Sequence, residues 1–122
     1  KSEDVQRDRE AAARAIAQRY KSHVVLKGAH TLVAAPDGAR IYTCEAGNPA
    51  MAMGGMGDLL SGIIAARWAY LKDPFLAAAS AVWLHASASD ELVGANPPED
   101  PSVVNTARKV ASLRVFHERG SK

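Results

Sequence analysis

A glycine-rich run that ends in an aspartate is the part of this sequence best suited to chemistry. Five of the nine glycines lie between Gly47 and Gly62, and Asp58 is followed at once by an apolar helical pattern. Glycines let the backbone approach a ligand closely. The first turn of a helix offers free N–H groups and a positive dipole end, which favour an anion such as phosphate. A carboxylate beside that anion suits a base that takes a proton from a hydroxyl facing a phosphate donor.

A second candidate segment lies upstream, at Lys27-Gly28-Ala29-His30-Thr31. A cation and a glycine at a strand exit, followed by a hydroxyl, can meet a nucleotide phosphate with a point charge and backbone N–H groups. Taken alone, such a segment is better explained as a strand-ending surface lysine with a turn glycine. Its combination with the downstream glycine run favours phosphate binding. Asp58 has a similar alternative, because an aspartate at a helix start is a common N-cap.

Length and composition fit one soluble globular domain. The chain has 122 residues, of which 48% are hydrophobic and 23% charged, and its formal net charge is only +2. Basic residues are scattered among acids and form no stripe with interleaved aromatics, so no nucleic-acid partner is predicted. The apolar stretch near Ile63 is broken by Arg67 and is too short to span a bilayer, so no membrane partner is predicted.

The single cysteine, Cys44, excludes an intrachain disulfide and a thiol metal cluster, and we expect it to be a strand residue without chemistry. No metal site is predicted from the residues. The charged segment Lys1–Arg14 lacks the apolar core of a signal peptide. We therefore expect a cytoplasmic location.

Periodicity and the positions of Gly and Pro predict the secondary structure. Val5, Ala12, Ile16 and Tyr20 recur at helical spacing, which predicts an amphipathic helix over Ser2–Tyr20 with these residues as its apolar face. The other predicted elements are a buried strand at Val24–Leu26, a β-hairpin of Thr31–Ala35 and Arg40–Cys44 around Pro36-Asp37-Gly38, and helices at Asp58–Leu71, Asp73–Val93 and Ser102–His117.

Three short strands followed by three apolar helices make an unusually small sheet for that many helices. Either the sheet borrows strands from a partner or the chain is part of a larger domain, and we favour the second interpretation. Trp68 and Trp83 fall on the predicted helices, where we expect them to be core or helix-packing residues rather than adenine platforms.

The two candidate segments together resemble a known family. Val25 to Thr31, followed by Gly47 to Gly62, is similar to the C-terminal half of the ADP-dependent NAD(P)H-hydrate dehydratases, carbohydrate-kinase-related proteins with a ribokinase-like fold. The family pattern reads approximately K-G-x-x-T, a hairpin, then G-N-x-G-M-A-x-G-G-x-G-D-V-L-S-G-I-I, and the sequence matches almost all of it. The likeness extends from about Val5 to Val93.

The resemblance implies an α/β fold, the C-terminal portion of a ribokinase-like three-layer α/β/α domain, in which short strands and a hairpin precede three helices. It implies that residues 1–122 are the C-terminal part of one such domain, whose N-terminal half lies upstream. We accordingly expect either a homo-oligomer or a requirement for that half.

The resemblance also implies a role for each matching residue. Asp58 is the catalytic base and contacts the hydrated nicotinamide. The segment Lys27–Thr31 and Gly57 bind ADP or AMP, and the phosphate loop consists of Asn48, Gly54, Gly55 and Met56. Asn48 orients the loop through its amide, although a turn asparagine before proline is the plainer alternative.

The activity implied is the repair of hydrated NADH or NADPH, in which ADP (or ATP) is consumed and water is removed. A kinase step is followed by elimination: the base accepts the proton of the ring hydroxyl, the loop N–H groups stabilise the phosphoryl group, and the phosphate then leaves. We expect Mg²⁺ to accompany the nucleotide, with no protein ligand set in this chain.

The sequence departs from the family pattern at two single positions and in one helical segment. Ala50 stands where the family usually has glycine, and Met53 stands where it has a small hydroxyl residue, which removes a hydrogen bond and adds bulk beside the loop. In the penultimate helix the family often reads His-Gly-x-Ala-Gly-Asp, whereas this chain has His85-Ala86-Ser87-Ala88-Ser89-Asp90. A histidine there is typically a packed helix residue, and we assign it no role.

Two other functions stay open. One is a small-molecule kinase of the same fold, acting on a sugar or hydroxymethylpyrimidine; the Gly-Asn-Pro-x-Met-Ala run favours the dehydratase, because sugar kinases usually share only the Gly-x-Gly-Asp core. The other is a non-catalytic nucleotide-binding or assembly module, which Met53 and the expected upstream half favour.

Overall fold

One helix, three short strands and then three further helices follow one another along the chain, in the order that the sequence predicts. The structure is a computed structural model that describes the backbone of residues 2–120 and the side chains of residues 3–113. Its elements are α1 (Ser2–Tyr20), β1 (Val24–Leu26), β2 (Leu32–Ala34), β3 (Ile41–Thr43), a short 3-10 helix (Pro49–Met51), α2 (Met56–Leu71), α3 (Pro74–Gly94) and α4 (Val103–Gly120).

The three strands form one antiparallel sheet in chain order. Leu32 pairs with Leu26 on one side and with Thr43 on the other, so β2 is the central strand. The predicted hairpin is confirmed, and its turn is closed by Asp37 Oδ1, which accepts hydrogen bonds from the N–H groups of Ala39 and Arg40 at 2.9 and 3.0 Å. These hydrogen bonds hold the pKa of Asp37 at about 2.

The sheet separates two apolar clusters because successive side chains of a strand point to opposite faces. Leu32 and Ala34 pack with Ala13 and Ala17 of α1. Val33 lies between them in sequence and belongs to the larger cluster formed with α2, α3 and α4. The chain therefore has three layers, one helix, the sheet and three helices, and the predicted α/β class is confirmed.

Two predictions about burial are wrong for the early elements. Val5, Ile16 and Tyr20 are exposed by 56, 42 and 65%, whereas the face of α1 against the sheet carries Ala13 and Ala17 at 0%. The small alanine side chains let the helix approach the strands closely, and the bulkier residues Val5, Ile16 and Tyr20 lie on the solvent side of the helix. β1, predicted to be buried, is half-buried because it lies at the edge of the described sheet.

Two further corrections concern the helices. Trp68 and Trp83, expected to be core or helix-packing residues, are exposed by 53 and 38% and therefore lie outside the core. The helix predicted from Asp58 begins at Met56, because Gly55 takes a left-handed conformation at the N-cap with φ 92°. The next helix begins as predicted after Asp73, whose carboxylate accepts hydrogen bonds from the N–H groups of Phe75 and Leu76. None of the described helices is long and apolar enough to cross a membrane.

The buried face of α1 can be tested with two neighbouring alanines. Ala13→Leu places a larger side chain against the sheet, where it has no room, and we expect it to lower the free energy of unfolding by about 1–3 kcal/mol. Ala12 is exposed, so the same change at that residue should alter this free energy by less than about 0.5 kcal/mol. Urea unfolding measures both, and a larger loss for Ala12→Leu would contradict the packing.

Candidate functional site

A cavity of about 670 Å³ lies where the β1–β2 turn, the loop after β3 and one face of α3 meet. Its mouth carries polar groups from the turn, and its wall includes apolar side chains of Cys44, Leu60 and Val82. The predicted site residues that line it are Lys27, Gly28, Ala29, His30, Thr31, Asn48, Met56 and Gly57. The structure thus brings the two candidate segments, separated in sequence by the hairpin, into one site.

The β1–β2 turn that carries Lys27 is held by a residue that the sequence analysis missed. Arg9 of α1 donates hydrogen bonds to four backbone carbonyls, at 2.6 Å to Ala29, 3.3 Å to His30, 3.3 Å to Leu26 and 3.4 Å to Lys27. A planar guanidinium offers five donors in a fixed fork, so one side chain can bind several carbonyls at once. Arg9 therefore fixes the path of the turn.

The turn also closes on itself through Thr31. The Thr31 hydroxyl donates to the carbonyl of Gly28 at 3.0 Å, and its oxygen lies 3.3 Å from the N–H of Gly28. Gly28 has φ 147°, a conformation that other residues rarely adopt, which explains the glycine in the Lys-Gly-x-x-Thr pattern. The hydroxyl of Thr31 thus shapes the turn as well as lining the cavity.

Lys27 reaches the first turn of α2. A Cβ atom added at Gly57 would lie only 2.7 Å from Lys27 Nζ, so the ammonium group occupies the space above this glycine. The N-terminus of a helix carries a partial positive charge, and an ammonium group beside it adds to the same sign. The two positive groups create a strong preference for an anion between or beside them.

Free backbone donors surround that point. The first hydrogen bond of α2 runs from the N–H of Leu59 to the carbonyl of Gly55 at 3.0 Å. Within the described part of the chain, no hydrogen bond engages the N–H groups of Gly54, Gly55, Gly57 and Asp58. Such groups at a helix start are available to phosphate oxygens.

Asp58 lies inside the first turn of α2 and not at its N-cap. It is the third residue of α2, and Gly55 rather than Asp58 is the N-cap, so the capping alternative is wrong. Its carboxylate is exposed and has no ion pair or hydrogen bond among the described side chains. Asp58, Gly54 and Gly55 lie outside the lining of the cavity, next to Gly57, which belongs to it.

The loop after β3 is attached to α3 by a second residue that sequence reasoning missed. Asp90 accepts hydrogen bonds from the N–H of Gly47 at 2.9 Å and from Asn48 Nδ2 at 2.7 Å. Asn48 Oδ1 in turn accepts from the N–H of Ala50 at 3.0 Å and caps the 3-10 helix. The side chain of Asn48 therefore links the loop to α3 and caps the 3-10 helix. The one sequence signal near this contact is the spacing of His85 and Asp90, which resembles the pattern in the penultimate helix described above.

His85 is a third residue without an assigned role that lies in the site. It is 5% exposed and lines the cavity, with Nε2 at 3.4 Å from Met56 Sδ. Burial, and to a lesser extent the charge of Lys27, lower the pKa of His85 below its usual range. His85 is thus a neutral group in the cavity wall.

His30 lies at the exposed mouth. Its φ of 58° is rare for a residue other than glycine, and its Nδ1 lies 3.4 Å from Glu45 Oε2. The methionines Met51, Met53 and Met56 also line the cavity. Because Met53 is 40% exposed, its bulk stands at the cavity surface rather than filling the interior.

Comparison with known proteins identifies the family. A family model described as NAD(P)H-hydrate dehydratase matches residues 1–105. The chain belongs to the NAD(P)H-hydrate dehydratase family. The predicted resemblance is therefore confirmed by a match that covers most of the chain.

Curated relatives of this chain are also named for NAD(P)H hydrate. The bifunctional NAD(P)H-hydrate repair enzyme of Vibrio cholerae is 56% identical over 89 residues, which are 72% of this chain and 17% of that protein. The ADP-dependent (S)-NAD(P)H-hydrate dehydratase of Neisseria meningitidis is 48% identical over 86 residues, which are 70% of this chain and 29% of that protein. The chain thus spans less than a third of the length of either relative.

A solved structure of the family supports the fold. The ADP/ATP-dependent NAD(P)H-hydrate dehydratase of Bacillus subtilis, co-crystallised with ATP and Mg²⁺ and soaked with CoA, superimposes with a TM-score of 0.79 at 28% identity. The alignment covers 93% of this chain and 41% of that one. This likeness confirms the predicted ribokinase-like fold.

Arg9 can be tested as the support of the β1–β2 turn. Arg9→Ala leaves carbonyls of the turn without their donors, and we expect the free energy of unfolding to fall by about 1 kcal/mol because water replaces part of the loss. The control is Arg7→Ala, whose guanidinium is exposed and lies 3.6 Å from Asp4. It should change the free energy by less than about 0.5 kcal/mol. Equal losses in urea unfolding would contradict the assignment.

The lowered pKa of His85 predicts a pH dependence of stability. The unfolded state binds the proton near pH 6.5, whereas the folded state binds it only at a lower pH, so acidification through 6.5 lowers the free energy of unfolding. The loss levels off below the folded-state pKa. His85→Gln removes this titration, so its stability difference from the wild type should shrink between pH 8 and pH 5. Urea unfolding across that range measures it, and a constant difference would contradict the prediction.

Proposed function

We propose that this chain provides the nucleotide-binding part of an ADP- or ATP-dependent NAD(P)H-hydrate dehydratase, which removes water from (6S)-NAD(P)H hydrate and regenerates NADH or NADPH. The observation that carries the proposal is the position of Lys27 Nζ above Gly57, against the free N–H groups of the α2 N-terminus. The descriptions of the family and of its relatives support the substrate.

The phosphates of ADP would occupy the space between Lys27 and the first turn of α2. Lys27 supplies a point charge, and the N–H groups of Gly57 and its neighbours supply directed donors. The cavity of about 670 Å³ has the size of a small-molecule site, and we assign the adenosine to it along Lys27–Thr31.

The base proposed is Asp58. Its exposed carboxylate lies one residue beyond Gly57, so a hydrated nicotinamide on the open side of the helix start would meet both the carboxylate and the phosphates. Asp58 would accept the proton of the ring hydroxyl while the hydroxyl oxygen attacks the terminal phosphorus of the nucleotide. The bond from that phosphorus to its bridging oxygen breaks, and the nucleotide leaves one phosphate shorter, as AMP from ADP or as ADP from ATP. The C–O bond of the new phosphate ester then breaks: inorganic phosphate leaves with the bonding electrons, and the lone pair of the ring nitrogen stabilises the resulting ring cation. Loss of a proton from the adjacent ring carbon restores the dihydropyridine.

Mg²⁺ is assigned no protein ligands in this proposal. In the described part of the chain, no group of three or more His, Cys, Asp or Glu side chains is placed to hold a metal ion. A magnesium ion that accompanies a nucleotide takes much of its coordination from phosphate oxygens and water. No step of the proposed reaction is therefore assigned to a metal held by this chain.

The role of Asp58 can be tested by removing its charge. Asp58→Asn should lower the rate of NADH recovery from hydrated NADH by about 100-fold or more, because an amide cannot act as the base. ADP affinity should stay within about threefold, because the phosphate donors are backbone groups. Absorbance of restored NADH and titration calorimetry measure the two quantities.

The matched control for that experiment is Asp8→Asn, on the exposed surface of α1. Near-normal turnover of Asp58→Asn would refute the base assignment. If the wild type binds ADP without restoring NADH, the chain is a nucleotide-binding module rather than a dehydratase on its own. If it binds neither ADP nor ATP, the proposed function is wrong.

The contact between Lys27 and Gly57 can be tested with a methyl group. Gly57→Ala places a Cβ in the space of Lys27 Nζ, so the ammonium group must move away from the anion position. We expect ADP affinity to fall by about tenfold. Gly62→Ala lies on the same helix with open space around the added Cβ and should leave ADP affinity unchanged. Calorimetry compares the two, and equal affinities would contradict the placement of the phosphates.

A further inference from the structure

The two hydrogen bonds that Asp90 accepts join distant parts of the chain. Its Oδ2 binds the backbone N–H of Gly47 at 2.9 Å, and its Oδ1 binds Asn48 Nδ2 at 2.7 Å, across 43 and 42 positions of sequence. Each oxygen of one carboxylate thus binds a different group of the same loop. Hydrogen bonds to a charged acceptor are stronger than those between neutral groups. Asp90 is half-buried, which limits competition from water.

The amide of Asn48 is fully used inside the protein. Its second hydrogen is donated to the hydroxyl of Ser89, which is completely buried, at 3.1 Å. Its oxygen accepts the N–H of Ala50 at 3.0 Å. An Asn side chain has two N–H donors and one oxygen. Asn48 therefore has no donor left for a ligand, and its contribution to the site is the shape of the loop.

The loop needs this attachment because the sheet does not hold it. β3 ends at Thr43, and the 3-10 helix begins at Pro49. Between them, Gly47 takes φ 121°, and an added Cβ would meet Met51 Sδ at 3.5 Å and the Cβ of Ala86 at 3.7 Å. The loop thus contacts α3 at Gly47, and among the described residues Asp90 is the α3 side chain that binds the loop backbone at this point.

We propose that Asp90 is a positioning residue of the nucleotide site. It fixes Gly47 and Asn48, which form part of the cavity wall, to α3, and in this way sets the affinity of the cavity for a nucleoside diphosphate. Asp90 is absent from the cavity lining and acts through the loop alone. The inference rests on the proposed function, because the ligand is the one proposed there.

An exchange of the two side chains provides the test. Asp90→Asn leaves one acceptor oxygen facing two donors, the N–H of Gly47 and Asn48 Nδ2, so one of the two hydrogen bonds is lost. Asn48→Asp places two carboxylates face to face and loses the 2.7 Å hydrogen bond. The double variant Asn48→Asp/Asp90→Asn restores the donor and acceptor in reversed order. It also keeps an acceptor for the N–H groups of Gly47 and Ala50.

We expect each single variant to bind ADP about tenfold more weakly than the wild type, and the double variant to return to within about threefold. Titration calorimetry is run well below the unfolding midpoint of each variant, so loss of folding does not mimic loss of affinity. Glu91→Gln, on the exposed side of α3, is the matched control for removal of a neighbouring charge and should bind like the wild type. Amide exchange at Gly47 should be faster in both single variants and slow again in the double variant.

Failure of this inference can be distinguished from failure of the proposed function. If the wild type binds ADP and the Asp90→Asn variant binds it equally well, the inference is overturned and the proposed function stays intact. A wild type that binds no nucleotide overturns the proposed function and, with it, the affinity claim for Asp90. Weak binding by both single variants without recovery in the double variant also overturns the inference, because the effect would then come from the individual side chains rather than from their hydrogen bond.

Discussion

The interaction on which the site depends is the approach of the Lys27 ammonium group to the start of α2. Both are positive, and Glu45 beside His30 is the one acidic residue among the described residues that line the cavity; the Asp58 carboxylate lies in the first turn of α2, outside that lining. Such an arrangement is unfavourable in an empty site and favourable once an anion binds. Glycine at position 57 makes it possible, because any side chain would occupy the space of Lys27 Nζ.

The scaffold maintains this approach from two layers. On one side of the sheet, Arg9 of α1 binds the carbonyls of the turn that carries Lys27. On the other side, Asp90 of α3 binds the loop that leads towards α2. Each uses a charged side chain to bind backbone groups of the segments that leave the short strands. A sheet with three-residue strands can thus support a shaped site because helices bind the loops directly.

The sequence predicts features whose signal is local and misses those whose partners are distant. The hairpin follows from Pro36-Asp37-Gly38, and the family follows from the spacing of Lys27-Gly28 and the glycine run. The roles of Arg9 and Asp90 depend on groups about 20 and 43 positions away, which no periodicity reveals. The periodic pattern of bulky apolar residues predicts the wrong buried face for α1, because the helix packs against the sheet through the small residues Ala13 and Ala17. The sequence places the start of α2 two residues late, because aspartate is preferred over glycine at an N-cap and the left-handed conformation of Gly55 has no local sequence signal.

The cavity wall also contains all three methionines of the chain, Met51, Met53 and Met56. A thioether is flexible and polarisable, so the wall can adjust to the outline of a ligand more readily than branched side chains would. The same atoms are the ones that peroxide converts to sulfoxide, a polar and chiral group. Methionine oxidation in this chain is therefore confined to the ligand site. The masses of the methionine-containing peptides after treatment with an oxidant would show whether a ligand occupied that site during the treatment.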